Sequence, residues 1–115
     1  MTELRRRRFC TALAGGVVAA LSFHRHATSQ DVVVVVIRDY KFVPAQLSIK
    51  PGTTVRWVNE EKRTTHTVKF AGPAGLESER LFPGDHFEHR FDQPGFVSYL
   101  CGPHPEMTGS IEVRP

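Results

Sequence analysis

The sequence predicts an all-β domain, an antiparallel sandwich or barrel, on three observations. Apolar and β-branched residues fall in short runs of strand length. Turn signals rich in Pro and Gly separate those runs at regular intervals, and no stretch sustains a helical period. With 115 residues the chain can form one small domain but not two lobes with a cleft between them.

The N-terminal segment stands apart from that domain. Arg5 to Arg8 lead into the mildly apolar run Phe9–Phe23. As a helix this run reaches about 22 Å, short of the roughly 30 Å hydrocarbon core of a membrane. Ala27 and Ser29, small residues two apart, match a signal-peptidase site. Met1–Ser29 therefore reads as an export signal cleaved after Ser29, and Gln30–Pro115 as the folded domain. Arg6-Arg7-Arg8-Phe9 resembles the twin-arginine pattern, Arg-Arg-x-Phe. The ordinary secretion route and retention as an uncleaved anchor are the competing readings. All of them put the domain in an oxidising space outside the cytoplasm, the periplasm, with no stable membrane insertion once the signal is cleaved.

Asp31–Ile37 carries five valines and an isoleucine, too short and too branched for a helix, and is the first expected strand. Strands at Gln46–Lys50 and Thr53–Asn59 follow, joined by a turn centred on Pro51-Gly52. After the charged loop Asn59–Arg63 a strand is expected from Thr65 to Phe70, with His66, Val68 and Phe70 on one face. Ala71–Asp85, rich in Gly, Pro and charge, reads as irregular, with a short helical turn near Leu76–Arg80. His86–Phe91, the turn Asp92-Gln93-Pro94-Gly95, Phe96–Cys101 and Ser110–Val113 complete the order. Trp57, in phase with Val55, reads as core.

Charge excludes one class of function. The chain has 15 Lys and Arg against 12 Asp and Glu, but the export segment holds five of those cations and one acid. From Gln30 onward there are ten cations and eleven acids, so the folded part has no basic excess for nucleic acid. The two cysteines, Cys10 and Cys101, fall one in each section, which rules out a disulfide framework. A metal is the usual substitute in a domain of this size.

Tyr99–Met107 points to that metal. It sets a thiol, an imidazole and a thioether three residues apart, at Cys101, His104 and Met107. Gly102, Pro103 and Pro105 make the run a constrained loop rather than a helix, so the three can converge. Cys101 shares parity with Val97 and Tyr99, which aims its sulfur inward. Soft sulfur with imidazole selects copper over hard cations, and a mononuclear blue-copper centre takes two His and one Cys with a weak axial thioether. The second histidine is found by elimination among six. His24 and His26 leave with the signal. His86 and His89, three apart on a strand, face opposite sides, and parity with Phe87 and Phe91 half-buries His89. His66 remains, and the expected ligands are His66, Cys101, His104 and Met107. Buried free cysteine and core methionine are the plainer readings of Cys101 and Met107; their common step with His104 argues against both. Zinc also suits Cys and His, but a methionine ligand does not suit zinc. Leu81, Phe82, Pro103 and Pro105 form a possible apolar rim around His104, and Glu106 is expected to face solvent.

These residues resemble the small cupredoxins, above all the amicyanins, with wider kinship to plastocyanins and pseudoazurins. The likeness spans nearly the whole domain. It rests on Pro51-Gly52-Thr53-Thr54-Val55-Arg56-Trp57-Val58-Asn59, on His66-Thr67-Val68 with Phe70, on Pro94-Gly95 and Tyr99, and on the short loop Cys101-x-x-His104-x-x-Met107. The resemblance implies a Greek-key β-sandwich of about seven to eight strands. It also implies a type 1 copper site, and redox proteins as partners that dock near His104. Two departures matter. Amicyanins usually carry Asn after the first histidine and Thr after the cysteine, whose side chains brace the two ligand loops. Here Thr67 and Gly102 stand instead, so that brace cannot form as in the relatives, although the Thr67 N–H can still donate to the Cys101 sulfur.

The expected function is thus a monomeric periplasmic one-electron carrier with one copper, not an enzyme. A Cu(I) carrier or buffer without redox cycling is the rival from another class. A binuclear copper centre needs a second cysteine in the loop, and trinuclear centres need His-x-His pairs outside the signal. The expected cleavage is checked by N-terminal sequencing of the exported protein, which should begin at Gln30; a protein that keeps Met1–Ser29 would establish the anchor instead.

Overall fold

The computed structural model describes residues 31–73 and 75–115; the expected export signal, Met1–Ser29, lies outside them. Eight strands make two four-stranded sheets, and no helix occurs among the described residues. One sheet is ordered β2 (Lys41–Val43), β1 (Val32–Arg38), β4 (Thr53–Asn59), β6 (His86–Phe91). The other is ordered β3 (Gln46–Ile49), β8 (Thr108–Val113), β7 (Gly95–Leu100), β5 (Lys69–Phe70). The all-β sandwich agrees with the sequence, but the pairing is not wholly antiparallel. β1 runs parallel to β4, and β3 parallel to β8. The chain leaves the first sheet after β2, contributes β3 to the second, and returns as β4; such a crossover is what a parallel pair requires.

Strand alternation builds the core. In β4, Thr53, Val55, Trp57 and Asn59 are buried while the residues between them are half-buried. In β1, Val35 and Ile37 point inward and are fully buried, whereas Val32 and Val34 stay exposed on the outer face. Trp57 lies at the centre, with ring centroids 5.4 Å from Tyr99, 5.7 Å from Phe87 and 6.0 Å from Phe70. Truncating a side chain so enclosed costs about 3–5 kcal/mol.

Three sequence expectations change. β2 was absent from them, because its turn uses Asp39 and Tyr40 rather than the Asn-Gly or Asp-Gly that marks a hairpin; both residues are left-handed, at φ 54° and 57°. The strand expected from Thr65 to Phe70 is reduced to Lys69–Phe70. The helical turn expected near Leu76–Arg80 is an extended strap instead. Both changes have one cause. The backbone before β5 bonds to the strap, with His66 and Leu81 exchanging N–H and C=O bonds at 3.1 and 2.8 Å, and the Ser78 N–H donating to the Val68 C=O at 2.8 Å. The Thr67 N–H, between them, is turned toward Cys101 Sγ.

His89 faces inward on β6 as its parity with Phe87 and Phe91 requires. Its ring meets Phe70 and Phe91 edge-on, with centroids 5.2 and 4.8 Å apart. Burial lowers its pKa below the ordinary histidine value, against a weaker raising pull from Asp92. A lowered folded-state pKa means the unfolded chain binds the proton first. His89 therefore destabilises the fold progressively as pH falls below about 6.5 toward its folded-state value. His89→Phe should flatten the acid side of the stability profile, measured by urea unfolding between pH 7 and 5; a profile parallel to the parent would show that His89 takes no part.

Candidate metal centre

Segments following β1, β4 and β7 meet at one end of the sandwich, and Asn59 organises two of them. Its side chain is fully buried. Nδ2 donates to the carbonyls of Thr64 and Leu81, both at 2.9 Å, and Oδ1 accepts the Glu61 N–H at 2.9 Å. The loop after β4 and the strap are thereby hung from one amide, and His66 lies between them.

Glu61 then orients His66. Glu61 Oε2 lies 3.1 Å from His66 Nε2 and accepts the Tyr40 N–H at 2.8 Å. A carboxylate only accepts, so the imidazole proton is assigned to Nε2, which leaves the Nδ1 lone pair facing the site. Burial holds the His66 pKa below the ordinary value; Glu61 pulls it up and His104 pushes it down. For Glu61, burial raises the pKa, but the Tyr40 N–H, His66 and the Asp39 N–H outweigh it and bring it below the usual carboxylate value. The result is a neutral imidazole beside an ionised carboxylate, the state a metal-binding histidine needs.

Cys101 follows β7 and is fully buried, as its parity with Tyr99 predicts. The loop behind it is short and sealed. The Cys101 N–H donates to the Met107 C=O at 3.0 Å, and the Met107 N–H to the His104 C=O at 2.9 Å. The second bond closes the turn His104-Pro105-Glu106-Met107, in which Pro105 holds the position its fixed φ favours. Met107 ends the loop 2% exposed.

The structure brings His66, Cys101 and His104 together. Cys101 Sγ lies 3.5 Å from His66 Nδ1 and 3.6 Å from His104 Nδ1. One ligand atom from each residue lies within 4.8 Å of the others, and no other such cluster occurs among the described residues. His66 and Cys101 are buried and His104 is half-buried. Two imidazole nitrogens converging on a buried thiol, with a buried thioether at the loop end, suit a soft ion such as copper.

Other residues sort differently. Phe82, Pro103, Pro105 and Glu106 are exposed. Leu81 is not on the expected apolar rim: it is 4% exposed, because its backbone pairs with His66 and turns the side chain into the core. His86 is exposed. Gly102 braces the ligand segments through its backbone, its N–H donating to Thr67 Oγ1 at 2.9 Å, and the Thr67 N–H reaches Cys101 Sγ at 3.5 Å. Sequence reasoning missed Glu61 and Tyr40. Tyr40 packs edge-on against both rings, with centroids 4.9 Å from His104 and 5.5 Å from His66, and its hydroxyl lies 3.2 Å from Thr64 Oγ1. Glu61 was hidden among the charges of its loop; its position five residues before His66 was the available signal.

Residues 11–113 match the family model described as a cupredoxin-like domain. Amicyanin-alpha of Methylorubrum extorquens is 33% identical over 107 residues, which cover 90% of this chain and 86% of that protein. Amicyanin of Paracoccus versutus is 34% identical over 88 residues, 73% of this chain and 66% of that protein. The crystal structure of amicyanin from Paracoccus versutus superposes with a TM-score of 0.69 at 33% identity, covering 73% of this chain and 82% of that one.

Removing Glu61 should loosen His66. Glu61→Ala is expected to weaken Cu(II) binding about 10- to 100-fold in a competition titration, and Glu61→Gln, which keeps an acceptor, to lose much less. Equal affinity in Glu61→Ala and the parent would remove Glu61 from the site.

Proposed function

The chain belongs to the cupredoxin-like family, and from that premise we propose that it is a type 1 copper protein that carries one electron at a time between redox proteins. The observation that carries this reading is the approach of two imidazole Nδ1 atoms to one buried sulfur, at 3.5 and 3.6 Å. His66, Cys101 and His104 would hold the ion as strong ligands, and Met107 as the weak one. A copper ion held by these residues would supply one-electron chemistry between Cu(I) and Cu(II).

The residues provide what such an exchange needs. Glu61, Asn59 and the sealed loop hold the donors before any ion arrives, so little has to move on binding. Burial of Cys101 and Met107 keeps water from the sulfurs. His104 is the half-buried member of the trio, and redox partners dock at its edge, beside Tyr40. The chain acts as a carrier rather than an enzyme, after export to the periplasm and cleavage behind Ser29. The similarity to amicyanins supports the carrier role; it does not identify the donor or acceptor here.

Adding Cu(II) to the purified domain should give an intense blue absorption and a narrow copper hyperfine pattern in EPR. Cys101→Ser should abolish the band completely, whereas Met107→Ala should keep copper and shift the potential. A colourless parent that still takes up Cu(I) would point to a copper buffer, and a blue Cys101→Ser variant would overturn the ligand assignment.

A further inference from the structure

The strap beside His66 ends the space around Gly102. Its backbone is fixed on both sides of Glu77: the Phe70 N–H donates to the Leu76 C=O at 2.8 Å, the Ser78 N–H to the Val68 C=O at 2.8 Å, and the Val68 N–H to Ser78 Oγ at 3.0 Å. From this rigid base the Glu77 side chain reaches across to Thr67, whose hydroxyl donates to Glu77 Oε2 at 2.8 Å. A threonine hydroxyl has one proton. Committed to Glu77, it can only accept at its lone pairs, and it accepts the Gly102 N–H at 2.9 Å. The chain of bonds therefore runs in one direction, from the Gly102 N–H through the Thr67 hydroxyl to the carboxylate, and each bond polarises the next.

Gly102 makes room for this. A Cβ built there would lie 2.3 Å from Glu77 Oε2 and 2.9 Å from Thr67 Oγ1. The glycine and the glutamate are thus complementary: any larger residue after Cys101 would expel the carboxylate that fixes Thr67. The same Thr67 carries the N–H that points at Cys101 Sγ from 3.5 Å.

We propose that Glu77 is a positioning residue of the metal centre: by holding the Thr67 hydroxyl, its carboxylate fixes the backbone donor to the Cys101 sulfur and ties the two ligand segments together. The proposal rests on the reading of Cys101 as a copper ligand for its effect on redox properties, but its structural part holds without metal. Glu77 replaces, from a third segment, the side-chain brace that Gly102 cannot form.

The test has a metal-free arm and a loaded arm. In the metal-free protein, Glu77→Ala should raise hydrogen exchange of the Thr67 amide about tenfold over that of the Val35 amide in the core. Gly102→Ala should cost more in the parent than in Glu77→Ala, with the folding equilibrium constants of the cycle departing from additivity about fivefold. In the copper-loaded protein, Glu77→Ala should shift the blue band and the potential, and Glu77→Gln, which keeps an acceptor for Thr67, should restore the parent band. Unchanged Thr67 exchange, an additive cycle, or a blue band indifferent to Glu77→Ala each overturns the proposal. A loaded parent with no blue band overturns the copper reading instead, and the exchange and cycle measurements then decide for Glu77.

Discussion

The side-chain amide of Asn59 is the fixed point of the metal-bearing end. A buried amide with unmet hydrogen bonds costs roughly 1–3 kcal/mol, so this one specifies where its partners must lie. Its three bonds, to Thr64, Leu81 and Glu61, secure the loop and the strap on either side of His66. Its own backbone extends the same grip, with the N–H donating to the Asp85 C=O at 3.0 Å and the C=O accepting the Gly84 N–H at 2.8 Å. A sandwich supplies rigid strands, but the site lies beyond their ends. Asn59, the last residue of β4, carries the strand's rigidity into the loop and strap beyond it.

From there the order passes by contact. Asn59 sets Glu61, Glu61 sets both the proton of His66 and the N–H of Tyr40, and Tyr40 lies against both histidine rings. Tyr40 adopts a left-handed backbone that a bulky residue rarely takes, at a cost of about 1–2 kcal/mol. The bond to Glu61 and the packing on two imidazoles offset that cost. Strain in the β1–β2 turn and the orientation of the histidines are therefore two ends of one arrangement.

Much of this was legible in the sequence, and most of what was not has a common reason. The expected strands Thr53–Asn59 and His86–Phe91 match β4 and β6 to the residue, because turn and loop signals bound each one. The loop from Cys101 to Met107 could be read because its chemistry is local: the donors lie three apart and two prolines exclude a helix. β2, the strap, Glu61 and the bond from Gly102 to Thr67 could not be read. β2 pairs with its neighbour β1 through a turn that lacks the usual hairpin residues. The strap and the Gly102 bond depend on partners 10 to 35 residues away, and Glu61 on Tyr40 21 residues before it, separations that no local pattern encodes. The Thr65–Phe70 strand was read too long for the same reason, since its backbone found the strap before it found the sheet.

The separation of the converging donors has a further effect on the unfolded chain. His66 and Cys101 are 35 residues apart. Any link between them, a shared metal ion included, closes a loop of that length in the denatured ensemble. Chain-entropy arguments developed for disulfides value a loop of about that size at roughly 4 kcal/mol. In a domain without a disulfide, occupancy of the site would determine how many conformations the unfolded chain can reach, and so how readily it refolds after each opening.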